Sequence, residues 1–291
     1  MAAYVMERGL CSWRKACRYL GLARASLRHR RRPPGEARSR LVEKIHGLSA
    51  KHPRYGYRRI VALLRQEGWQ TSRKQVQRLR RAEGLRVPPS RRKQVRQGVS
   101  TGLPTRATHR GHVWTWGFVA DATTIGGALR MLTVLDEYTK EVHVLRPERR
   151  IGSADVIELV KAAVARHGAP EYIRSDNGSE FIAKDLQRWL AEQNIKTIYI
   201  TPASPWENGF VESFHSRFRD ECLNREQLYT LSEARVVIED FRRDYNATRP
   251  HSSLGYQSPQ RFVQQTTSPS PGYGQARQAR PSPATACQPK P

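Results

Sequence analysis

The apolar positions of this chain change period about a third of the way along it. Up to residue 87 they follow helical spacing. Ala16, Leu20, Leu22 and Leu27 form a first set, Leu41, Ile45 and Leu48 a second, Ile60, Leu63 and Leu64 a third, and Val76 and Leu79 a fourth. The breaks between them are helix punctuation. Gly21 makes a turn, Pro33-Pro34-Gly35 interrupts the chain, Gly68 closes a helix, and Ser72 is placed to cap a helix over 73–83. From residue 112 the pattern shortens to strands, predicted at 114–120, 130–135 and 141–145 and separated by signals such as Gly126-Gly127. Ser153 is placed to cap an amphipathic helix carrying Val156, Leu159, Val160 and Val164, which ends near Gly168. Then come a strand at 172–175, a helix at 179–193, a strand at 196–200, and helices at 207–222 and 232–245.

Three strands followed by alternating helices and strands predict an α/β domain around a mixed five-stranded sheet. The helical stretches before it predict small all-α units. Five regions separate on this basis: a helix-turn-helix over 1–32, a second helical unit over 37–87, a basic linker over 88–111, the α/β core over 112–265, and a tail over 266–291. The tail is rich in Pro, Ser and Gln and is expected to be disordered.

Charge divides the chain at the same place. The net charge is +25, and residues 1–112 hold 29 Lys and Arg against 5 Asp and Glu. The remaining residues are close to neutral, so the excess belongs to the helical units. These segments lack the broad apolar face of a membrane-surface helix. Duplex nucleic acid is the better partner, because neutralising phosphates releases counterions and gives strong, salt-sensitive binding. Arg24 and Arg28 on the second helix of the first unit are expected to face DNA, as are Arg58, Arg59, Arg73, Lys74 and Arg78 in the second unit. Arg80 and Arg81 are expected to lie outside as well.

No apolar run approaches the ~18 residues of a membrane span, and the first twenty or so residues lack a signal-peptide pattern. The four cysteines, Cys11, Cys17, Cys222 and Cys287, form no CxxC pair. Reduced thiols, no structural zinc and a cytoplasmic, nucleoid-associated location are expected.

Candidate chemistry lies in the core. Asp176 follows the strand at 172–175 and precedes a glycine turn, which exposes a carboxylate at the sheet rim. In isolation, Asp-Asn-Gly is ordinary turn chemistry, and that reading is the favoured one for Asp176 alone. Glu212 follows with 35 residues between the two, on a helix where His215, Ser216 and Arg219 share its face. Taken together, RYGYRRI, the VWTW…LTVLDEYT strand pair, IRSDNGSEFI, TPASPWENGFVESFHSRFRDECLN and YNATRPHSSLGYQSP resemble the OrfB product of bacterial insertion sequences. That product belongs to the DDE transposase and retroviral integrase superfamily.

The resemblance implies an RNase H-like catalytic core, and DNA strand cleavage and transfer at the ends of a mobile element. It implies three carboxylates holding two Mg²⁺ (or Mn²⁺) ions, with Asp176 and Glu212 as two of the ligands and Arg219 placed to hold a neighbouring phosphate. It also implies assembly of at least two chains on transposon ends and target DNA. An upstream-frame OrfA product is the expected partner, often joined by frameshifting. The first carboxylate departs from the family. The register after Trp114 puts Gly117 where the family has Asp. Asp121 is the nearest acid and reaches the site only if the strand bulges at Gly117; Asp136 is a weaker substitute. The alternative function is an end-binding copy that cannot cut.

Overall fold

The computed structural model describes residues 8, 12–21, 23, 35–87, 106–175, 178, 180–200 and 208–267. Arg24, Arg28, Asp176 and most of the linker and tail therefore lie outside the described residues.

The elements are α1 (Trp13–Tyr19), α2 (Glu36–Lys51), α3 (Tyr57–Gln66), α4 (Arg73–Ala82), β1 (Val113–Ala122), β2 (Ala128–Asp136), β3 (Val142–Glu148), α5 (Ser153–His167), β4 (Tyr172–Ser175), α6 (Lys184–Glu192), β5 (Lys196–Tyr199), α7 (Gly209–Phe218), α8 (Leu231–Ala247) and α9 (Pro259–Thr267). A π-helical turn, Arg219–Leu223, continues α7 directly. The sheet order is β3-β2-β1-β4-β5. β1 pairs antiparallel with β2 and β2 with β3, while β4 runs parallel to both β1 and β5. This is the mixed five-stranded sheet of an RNase H-like core, with β1 at its centre.

Both faces of the sheet are covered, because its strands carry apolar residues on both sides. Trp114, Trp116, Leu132 and Val134 pack with Val156 and Val160 of α5 and Leu186, Trp189 and Leu190 of α6. Val119, Leu129, Met131 and Leu135 pack with Val211, Phe214 and Phe218 of α7 and Ala234, Ile238 and Tyr245 of α8. Helices α2, α3 and α4 enclose a separate core of Leu41, Ile45, Leu48, Tyr55, Ile60, Leu64, Val76 and Leu79.

Local departures from the sequence expectations have physical reasons. Gly152, not Ser153, is the N-cap of α5; its N–H donates to Asp155 Oδ2 at 2.9 Å. The helix expected from 179 starts only at Lys184, because Phe181 turns inward to stack on Trp116 at 4.7 Å. Arg80 is buried rather than outside. It lies one turn after Val76, and its Nε and Nη2 donate to Leu85 O at 3.3 and 3.1 Å. Leu20 is exposed, while Ala16 and Cys17 of α1 are buried. Ser72 does cap α4, its hydroxyl accepting from Gln75 N at 3.1 Å.

Candidate active site and nucleic-acid interface

Helix α7 lies along β1, held at its start by Asn208. Thr115 Oγ1 donates to Asn208 Oδ1, and Asn208 Nδ2 donates to Trp116 O at 3.4 Å. One and two turns on, Val211 and His215 close over Gly117. A Cβ at Gly117 would stand 3.2 Å from His215 Cε1 and 3.3 Å from Val211 Cγ2. Below them, Thr133 Oγ1 donates to Gly117 O at 2.9 Å and lies 2.8 Å from His215 Nε2. The hydroxyl has one proton, already given to Gly117, so His215 Nε2–H is the donor to it. Burial, assisted by the Arg219 charge, pushes the imidazole down to about 4 and keeps it neutral. Glu212 is half-buried in the first turn of α7, where the helix dipole favours a carboxylate. At the far end, exposed Arg219 donates from Nη2 to Ala120 O at 2.8 Å.

The helical unit presents its charge mainly from α4. Arg73, Lys74, Arg78 and Arg81 are exposed there, and Arg58 on α3 is exposed as well. The Arg73 guanidinium also lies over the Tyr256 ring, 5.7 Å from its centre.

Two models described as integrase core domain match residues 107–205 and 193–259, and one described as HTH-like domain matches residues 36–94. An insertion element IS407 uncharacterized 31.7 kDa protein of Burkholderia multivorans is 37% identical over 267 residues, covering 89% of this chain and 93% of that one. The chain belongs to the insertion-sequence transposase family. An IS476 39.2 kDa protein of Xanthomonas euvesicatoria is 36% identical over 259 residues, 89% of this chain and 74% of its own. The transposase of IS904 from Lactococcus lactis is 28% identical over 235 residues, covering 76% and 92% of the two chains. The family pairs an HTH-like DNA-binding unit with an integrase core, and its members are in general polynucleotidyl transferases. No helix among the described residues of this transposase is long and apolar enough to cross a membrane.

Within the transposase fold, the alternative carboxylates do not take the place of Gly117. The β1–β2 ladder runs from Trp114↔Asp136 to Ala122↔Ala128 without a register shift. The bulge that Asp121 required is absent, and four regular residues put it about 13 Å along the strand. Asp121 Oδ1 accepts from Ala122 N at 2.8 Å, at the Arg219 end of α7 rather than the Glu212 end. Asp136 is buried and accepts from Gly111 N at 2.7 Å and from Tyr138 N and Thr139 N at 2.8 Å, so it shapes the β2–β3 turn. Approaching Asp176, β4 is anchored by Arg174, whose Nε donates to Glu137 Oε1 at 2.7 Å with both side chains fully buried.

Arg59, expected on the DNA face, is turned inward. Its Nη1 meets Glu221 Oε1 at 3.0 Å. Glu221, on the π-helical turn after α7, also accepts from Arg249 Nε and Nη2 at 2.7 and 2.8 Å. Beside it, Arg54 Nε donates to Asp220 Oδ2 at 2.8 Å. Burial alone would push the Glu221 carboxyl up, but the Arg249 and Arg59 guanidiniums outweigh it and hold it below its ordinary range. The helical unit is thus clamped to the end of the Glu212 helix. Glu221, Arg249 and Arg54 are not marked out by the sequence alone. The one available signal was an RDE run continuing the helix.

His251 completes the clamp and makes it acid-sensitive. Arg249 Nη1 lies 3.2 Å from His251 Nε2, and guanidinium only donates, so that nitrogen accepts and the ring is neutral. Burial, then the Arg249 charge, lowers its pKa to about 2. The unfolded chain takes up this proton below the ordinary value near 6.5 and the folded chain does not. Stability from this group is therefore complete above pH 6.5 and falls by about 1.4 kcal/mol per pH unit below it. Urea unfolding at pH 7 and pH 5 should differ by about 2 kcal/mol from His251. His251→Gln, which still accepts from Arg249, should make that difference smaller; an unchanged pH dependence would contradict the assignment.

Proposed function

We propose that this transposase-family protein grips the ends of its element through α2–α4 and holds them at a strand-transfer site that lacks its first carboxylate. The observation that carries the reading is the unbroken β1–β2 ladder through Gly117, sealed by Val211 and His215. A complete arrangement would use three carboxylates to hold two Mg²⁺ or Mn²⁺ ions, which would supply Lewis-acid stabilisation of the attacking and leaving oxygens. The donors of this chain do not fit it. Asp176 and Glu212 supply two of the three, Gly117 supplies none, and Asp121 is too far along the strand. What the chain itself does is bind, orient and present DNA, with Arg219 placed for a phosphate beside the site. Arg58, Arg73, Lys74 and Arg78 contact the duplex, together with Arg24 and Arg28 of the first unit. Because element ends come in pairs, the working assembly contains at least two chains. An upstream-frame OrfA product is the natural partner, and the working location is the bacterial cytoplasm at the nucleoid.

The DNA-binding part is tested by salt dependence on a duplex carrying the element's end. Each phosphate contact contributes a slope of about −0.9 in log K against log salt. Lys74→Ala and Arg78→Ala should each flatten the slope by about one. Arg59→Ala acts through the clamp instead, so it should lower thermal stability with little change in slope. Equal slopes for the parent and the Lys74 and Arg78 variants would remove α4 from the interface.

A further inference from the structure

On the sheet face away from α7, three side chains converge that neither strand transfer nor DNA binding uses. Glu141 closes the β2–β3 turn, His143 follows on β3, and His167 is the last residue of α5. One ligand atom from each lies within 4.8 Å of the others. Glu141 Oε2 is 4.0 Å from His143 Nδ1 and 3.9 Å from His167 Nδ1, and the two imidazole rings are 4.0 Å apart.

His143 is turned there by a bulge. Val134 pairs with Val144 but Leu135 with Val142, so His143 is the extra residue on β3. Its side chain is 1% exposed and packs on Trp114, yet among the described residues neither ring nitrogen has a hydrogen-bond partner, and neither does Glu141 Oε2. Buried polar atoms are normally satisfied, and each one left over costs about 1–3 kcal/mol. Two of them, His143 Nδ1 and Glu141 Oε2, face each other at 4.0 Å beside His167 Nδ1, and together they call for a ligand that takes lone pairs.

We infer that Glu141, His143 and His167 form a binding site for a divalent transition-metal ion, of which Zn²⁺ is the best match. Two imidazoles and one carboxylate are a zinc ligand set, with a fourth position left for water. Bonds of about 2.0–2.1 Å place tetrahedral ligand atoms roughly 3.3 Å apart. The two carboxylate–imidazole separations, 4.0 and 3.9 Å, therefore have to close by roughly 0.6–0.7 Å, and His167 at a helix end can supply movement of this kind. Its partial exposure, 21%, also gives the ion a way in. Burial lowers both histidines and raises Glu141, so the imidazoles already stand in the neutral, metal-binding form. Arg110 and Arg242 also face the trio and oppose a cation. Arg242 is held by Glu239 at 2.7 and 2.8 Å, however, and the nearby Asp136 carboxylate adds negative charge. The bound ion fastens the β2–β3 hairpin to the end of α5, from which the chain runs into β4 and towards Asp176. Cysteine spacing gives no hint of such a site, because no cysteine takes part in it.

The test is titration of the full chain, stripped with a chelator, with Zn²⁺ in excess Mg²⁺, which occupies hard carboxylate sites. One Zn²⁺ per chain should bind at micromolar or lower concentration and raise Tm by several degrees, and Co²⁺ should give the visible absorption of a four-coordinate site. His167→Ala and Glu141→Gln should each weaken binding by about 100-fold or more, beyond the range typical for loss of a mere supporting group. His143→Leu should abolish binding while keeping or raising the metal-free Tm, because it removes two unpartnered nitrogens. Absence of micromolar binding, or equal binding by these variants and the parent, would overturn the assignment.

Discussion

Glu221→Ala is expected to lower the stability of the chain by about 3–5 kcal/mol, the cost of stranding a buried charge. Arg249 is 3% exposed, and both of its hydrogen bonds to the carboxylate would be lost at once. Arg59 would lose its partner too. The two cations would then face each other across the join between the HTH-like unit and the core. The damage should therefore show first as separation of these two parts. Protease cleavage in the segment between α4 and β1 should accelerate, and thermal unfolding should broaden or split. Glu221→Gln keeps a single acceptor oxygen for the two guanidiniums to share, and no charge, so it should fall between the parent and the alanine variant. A loss below 1 kcal/mol for Glu221→Ala would mean that the clamp is solvated in solution.

Gly117→Asp is expected to change activity more than any other single substitution and to cost stability in the process. The added Cβ meets His215 Cε1 at 3.2 Å and Val211 Cγ2 at 3.3 Å, so the α7 side chains must give by a few tenths of an ångström. Overpacking of this kind costs about 1–3 kcal/mol. His215 cannot move without disturbing its bond to Thr133, which in turn holds Gly117 O. The gain is a third carboxylate on the central strand, beside the first turn of α7 that carries Glu212. A metal ion stabilises transition-state charge by several kcal/mol, and 1.36 kcal/mol is tenfold in rate. Restoring the set should raise strand cleavage on the order of 10³-fold. Adding Asp176→Asn or Glu212→Gln to Gly117→Asp should remove the gain, whereas adding Asp121→Ala should not.

The difference between what could and could not be read from the sequence follows from the range of each interaction. Strands and helices were legible because their periods are local, as in the Trp114-Thr115-Trp116 run or the Val156 and Val160 stripe. The charge boundary near residue 112 separated the DNA-binding part from the core without any structure. Asp176 and Glu212 stood out only through motif order, since each alone reads as a turn or a solvated helix position. What escaped depends on contacts between distant residues. Arg59 and Glu221 are 162 positions apart, and nothing near either one marks it as a partner. The π-helical turn that aims Glu221 at Arg59 and Arg249 has no composition signal, and neither has the bulge that turns His143 towards α5. Arg80 looked exposed because it is charged, yet its helical phase with Val76 placed it inside. Whether Gly117 bulged could be posed as a question from sequence but answered only by the ladder.

The most direct test of the central claim is strand cleavage and joining on DNA carrying the element's end, with Mg²⁺ or Mn²⁺, comparing the parent chain with Gly117→Asp. Both proteins are expected to bind the DNA, and only Gly117→Asp is expected to cut and join it. Cleavage by the parent at the rate of Gly117→Asp would contradict this expectation, because another group would then be completing the site.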